Sequence, residues 1–207
     1  MRTSMPYGTR IRVTPENIAG LRAASAGACL AWNENSGRNE LVNSHDAARS
    51  DLMIITSQSG LRELESLHRQ ERHEVDDDHL ARDLTDIAAD LRNDWPGLRA
   101  VSPPVEELRL YLADQQVHLH QPPEFTLPEG SPTLTEHYEL DEGEYPRVAV
   151  VTIGFGFLTP TRVLAYTPND DTRPVIDLSV SLQPDLSQAR ICRLLAEIIT
   201  AALRQAR

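Results

Sequence analysis

The segment "HEVDDDH", His73 to His79, packs two imidazoles and four carboxylates into seven positions. Such nitrogen and oxygen donors suit a divalent cation, and in a loop they could converge on one. On a helix they could not, because positions i and i+6 do not share a face. Asp76 to Asp78 also stand directly before a periodic apolar stretch, where carboxylates cap a helix and complement its dipole. Capping is therefore the predicted role. A metal site on His73, Asp76, Asp78 and His79, serving a metal-dependent hydrolase, is an alternative. "VHLH" places His118 and His120 on one side of a strand, ~7 Å apart by strand rise. A metal or a general base could use that pair, with Glu136 or His137 as a further ligand. Two exposed histidines on an edge strand are the plainer expectation.

Serines offer a different chemistry. In "SDLMIITSQSGLRELESL", Ser50 to Leu67, an apolar run leads into a Ser-Gln-Ser-Gly turn. Serine hydroxyls and backbone N–H groups at a helix start make an anion site. The segment resembles the phosphosugar-binding segment of sugar isomerase (SIS) domains, a likeness over about 17 residues. It implies phosphate contacts at Ser57 and Ser59 and a parallel sheet around them. Where that family usually has a threonine soon after the glycine, this chain has Leu61-Arg62, and charged residues rather than a returning strand follow. The residues themselves predict an interrupted helix instead: Ser44 as cap, Ala48, Leu52 and Ile55 inward, and a restart at Ser59-Gly60 through Leu61, Leu64 and Leu67.

Several chemistries are closed. All 20 basic residues are arginine, a bias expected of a GC-rich genome. Acting alone, the chain lacks the lysine required by a Walker-A loop, a Schiff-base enzyme, a protein kinase or a Ser-x-x-Lys hydrolase. No Gly-x-Ser-x-Gly elbow is present, and "GFGF" lacks the remainder of a dinucleotide fingerprint. Cys29 and Cys192 fall in apolar patterns and are expected to be buried thiols. No cofactor is expected.

The elements that must position these groups fall into two halves. Residues 1–120 read as mainly helical. Thr14-Pro15-Glu16 starts a helix carrying Ile18, Leu21, Ala24, Ala28 and Trp32, ended by "NENSGRN". Leu80, Leu84, Ile87, Ala88 and Leu91 form a second stripe, stopped at Trp95-Pro96-Gly97. Leu108 and Leu112 mark a shorter helix from Pro104. Residues 121–133, with four prolines, read as an extended acidic connection. Residues 134–207 read as an antiparallel sheet plus a helix. "VIDLSVSL" is predicted as the best half-buried strand, and Asp185 or Ser187 as the cap of a helix whose face is Ile191, Leu194, Leu195, Ile198 and Ala202. The expected class is α+β: a helical N-terminal part, an antiparallel meander of about four strands, and a C-terminal helix across it.

Net charge is −11 with no basic stripe, which disfavours nucleic acid. No stretch reaches the ~20 apolar residues of a membrane span, so a cytoplasmic chain with no membrane partner is expected. Between Arg109 and Arg147 no cation occurs. The leading functional expectation is a non-enzymatic regulatory protein, immunity- or adaptor-like, that meets a basic protein surface. Glu124, Glu129, Glu136, Glu139, Asp141, Glu142 and Glu144 are its expected contacts.

Overall fold

A computed structural model of the chain describes residues 10–70, 76–127, 132–140, 147–154, 157, 160–167, 172–181 and 185–206. Helix α1, Pro15–Ala23, begins as its sequence predicts. The Thr14 hydroxyl accepts from Asn17 N–H at 3.4 Å, and Asn17 returns a bond to Thr14 N–H at 3.1 Å. It ends sooner than the apolar period suggests. Gly27 takes a positive φ of 76°, and strand β1, Cys29–Asn33, follows. An apolar run as short as Cys29 to Trp32 fits either period, and pairing decides it. The segment expected to end a helix is instead the turn to β2, Arg38–Val42, with Gly37 at φ 65° and its N–H on the Asn33 carbonyl. Strand β3, Leu52–Ser57, completes a three-stranded antiparallel sheet in the order β2-β1-β3. All six of its residues are buried. The interrupted helix predicted there is thus a strand running straight into α2, Gln58–Gln70. The layer is not parallel.

Helix α3, Asp77–Val101, starts at its Asp76 cap but runs through Pro96. Proline sacrifices one backbone bond. Trp95, Leu98 and Val101, all buried beyond or beside it, keep the last turns packed. A side chain at Gly97 would collide with the Phe125 ring, so glycine here permits close approach rather than a stop. Helix α4, Pro103–Asp114, follows immediately.

The second sheet contains β4 (Val117–Leu119), β5 (Glu124–Thr126), β6 (Thr133–Leu140), β7 (Arg147–Gly154), β8 (Thr161–Tyr166) and β9 (Ile176–Val180). Its order is β4-β6-β7-β8-β9, with β5 also on β6, and every pairing is antiparallel. Helix α5, Gln188–Gln205, is capped by Ser187 and packs on β6, β7, β8 and α4. The class is α+β, with a C-terminal helix on an antiparallel sheet. The buried face of α5 is Cys192, Leu195, Ala196, Ile199, Ala202 and Leu203, rotated from the predicted stripe because α4 and the sheet share it. Strand β9 is the edge of the sheet, and its Leu178 is 40% exposed. One continuous apolar core among the described residues joins both sheets and helices α1 to α5. Among the described residues no helix is long and apolar enough to cross a membrane.

Candidate functional site: two buried polar clusters on strand β6

Strand β6 sends successive side chains to opposite faces, and its acids separate accordingly. Glu136 and Tyr138 point toward α4. Arg109, on the buried face of that helix, places Nε 2.9 Å from Glu136 Oε1, with Nη2 on the same oxygen. Its Nη1 donates to the Ala48 carbonyl at 3.4 Å, and Tyr138 O–H donates to Glu136 Oε2. Burial works against the Arg109 charge, but Glu136 outweighs it and raises the guanidinium pKa. Burial, then the Glu136 charge, pushes the Tyr138 phenol well above its ordinary range.

The other face of β6 carries Glu139. Residues 118 and 139 are cross-strand partners, and His120 N–H continues the ladder to the His137 carbonyl at 2.8 Å. Even positions 118 and 120 therefore share a side, as the spacing predicts. They are not exposed: Gly27 lies against the His118 ring and α2 reaches His120 through Glu63, leaving His118 7% and His120 3% accessible. His120 Nδ1 lies 2.7 Å from Glu139 Oε2, and its Nε2 lies 2.7 Å from Glu63 Oε1 on α2. Burial acts to lower the imidazole pKa. The hydrogen bonds and charges of Glu139 and Glu63 override it and lift the group to about 9. Glu63 is held below the usual carboxylate range, chiefly by the His120 hydrogen bond. The ring is thus an imidazolium donating from both nitrogens, and neither has a lone pair for a metal or a substrate proton.

The serine turn closes the same cluster. Ser57 O–H donates to the His120 carbonyl, while its oxygen accepts from Gly60 N–H at 3.0 Å. Ser59 O–H donates to Glu139 Oε1 at 2.7 Å. Both hydroxyls that the sugar isomerase likeness assigns to phosphate are engaged by the protein itself, and Glu139 and Glu63 present negative charge beside them. The bond of Ser59 is to a carboxylate rather than to the imidazole base of an activated nucleophile. The arrangement ties α2 to the larger sheet.

The remaining predicted residues are scattered. Asp76 caps α3, accepting from His79 N–H at 2.7 Å and from the His79 ring at 2.8 Å. Asp78 lines an open cleft of about 840 Å³ with Arg10, Arg12 and Arg82; His73 lies outside the described residues. Among the described residues no group of three or more His, Cys, Asp or Glu could hold a metal ion. Of the seven acidic contact residues, Glu124 is exposed. Glu136 and Glu139 are 0% and 3% exposed; that expectation is corrected, because alternation on a strand covered on both faces takes each acid inside to a cationic partner. Glu129, Asp141, Glu142 and Glu144 lie outside the described residues. Both cysteines are free and buried, and desolvation pushes Cys29 to about 12 and Cys192 to about 11.

Sequence reasoning missed Glu63 and Arg109. Two signals for them exist. Ser59 and Glu63 stand four residues apart on one helical face, and Arg109 interrupts the apolar stripe of Val105, Leu108 and Leu112, where a buried cation implies a buried acid. Comparison of the chain with protein-family models, curated proteins and solved structures returned no match.

Proposed function

We propose that the protein is a non-enzymatic binding or regulatory protein, immunity- or adaptor-like, that engages a basic surface on another protein. The supporting observation is on α3. Asp86, Asp90 and Asp94 recur every four residues along its exposed side, spanning ~12 Å at 1.5 Å per residue. No hydrogen bond or ion pair reaches their carboxylates among the described residues. Like charges at i,i+4 weaken a helix by roughly 0.2–0.5 kcal/mol per pair. An arginine- or lysine-rich partner would relieve that repulsion, and a net charge of −11 would draw such a partner in. The buried clusters support the same reading, since their reactive groups are already satisfied within the fold.

Crosslinking followed by affinity capture from the native host tests this reading. The wild type should recover a protein with a basic surface. Recovery should fall when salt is raised to ~0.5 M, where screening shortens below the physiological ~8 Å. It should also fall with Asp86→Asn, Asp90→Asn and Asp94→Asn combined. Equal recovery by wild type and variant, or recovery indifferent to salt, refutes the reading.

A further inference from the structure

We propose that β9 is a self-association edge, joining two copies of the chain through antiparallel pairing of Ile176–Val180 about a twofold axis at Leu178. Sheet edges in monomers are blunted by charges, proline, bulges or covering elements. Strand β2 obeys this rule, with the charged Arg38 and Glu40 along its length. Strand β4 at the opposite edge of the large sheet is wholly buried. Among the described residues strand β9 has no proline, bulge or covering element, and its one charge, Asp177, is paired with Arg162 of its own sheet. It pairs with β8 on one side only, its central three residues are exposed, and Val175 and Leu178 are 53% and 40% accessible.

The sequence of the strand selects the occupant. With the axis on Leu178, Ile176 faces Val180 of the second copy, Asp177 faces Ser179, and the two Leu178 side chains meet. All five strand residues are paired and the apolar row is continuous from one copy to the next. An axis at Asp177 would instead set two carboxylates opposite each other, which is unfavourable. Asp177 is also the sole charge on the strand, and it is held bidentately by Arg162, at 3.1 and 2.9 Å. The edge is therefore locally neutral although each chain carries −11. This surface is separate from the acidic row on α3 and does not depend on it. The two also respond oppositely to salt: self-association strengthens as repulsion between the chains is screened, whereas docking of a basic partner weakens.

Sedimentation of the full chain, with Leu178→Lys, Leu178→Cys and Ser179→Cys, tests the edge. The wild type should show twice the chain mass, and Leu178→Lys should be monomeric with unchanged circular dichroism. Directly opposed residues sit ~4.5–5.5 Å apart, within disulfide reach, so Leu178→Cys should form a crosslinked dimer on mild oxidation. Ser179→Cys, two positions out of register with its copy, should not. The native thiols are buried and do not interfere. A wild type that stays monomeric to ~1 mM, the weak end of specific association, overturns the proposal. So does a dimer in which Leu178→Cys fails to crosslink, a readout that stands even if Leu178→Lys does not fold.

Discussion

Replacing His120 with glutamine should remove most of the protein's loss of stability between neutral and alkaline pH. In the folded chain this imidazole lies 2.7 Å from Glu139 and 2.7 Å from Glu63. Burial opposes its charge, but the two carboxylates raise its pKa from 6.5 to about 9. The folded state thus keeps a proton that the unfolded state releases near pH 6.5. The stabilisation is complete below pH 6.5 and is lost as pH rises through about 9. That interval corresponds to about 3 kcal/mol, a large share of the 5–15 kcal/mol typical of a domain. No lysine titrates nearby to obscure it, and Cys29 and Cys192 contribute only as their unfolded forms ionise near pH 9. Urea unfolding of wild type and His120→Gln at pH 6, 7, 8 and 9 measures the effect. The wild type should lose about 3 kcal/mol across the series. The variant should start lower at pH 6 and change little. Parallel pH profiles for the two proteins would refute the placement of His120 between two carboxylates. So would an imidazole titration by NMR with its midpoint near 6.5.

The buried pair on the other face of β6 gives a second expectation. Arg109→Leu should cost about 3–5 kcal/mol by leaving Glu136 charged and unpaired, whereas Arg109→Leu with Glu136→Leu should recover much of that loss. Thermal unfolding of the two variants checks the sign. Gly27→Ala should destabilise by about 1–3 kcal/mol, because φ is 76° there and a Cβ would sit 2.5 Å from the His118 ring; retention of wild-type urea stability would refute it.

Local residue chemistry was enough to predict the α+β class, the antiparallel direction of the larger sheet and two helix starts, and to narrow a third to Asp185 or Ser187, of which Ser187 is the cap. Thr14, Asp76 and Ser187 are short polar side chains that accept from backbone N–H groups within their own turn, so no distant residue has a say. Antiparallel pairing followed from turns too short for a crossover. The same locality explains the errors. Cys29 to Trp32 and Leu52 to Ile55 are short apolar runs without a decisive period; the first became a strand between β2 and β3, and the second by pairing with the first. Pro96 continues a helix because residues on distant strands hold its last turns.

The candidate site divides in the same way. Sequence alone placed His118 and His120 on one side of a strand, singled out Ser57 and Ser59, and marked Glu136 and Glu139 as acids in a cation-poor stretch. It could not assign their partners. Spacing within a strand fixes which face a carboxylate takes relative to its neighbours; what waits on that face depends on how α2 and α4 pack across the sheet. Tertiary structure therefore decided that the acids of β6 are interior groups neutralised by Arg109 and His120. The physical reason is range: caps and alternation act within a few residues, while desolvation and ion pairing depend on whichever chain segment arrives from elsewhere.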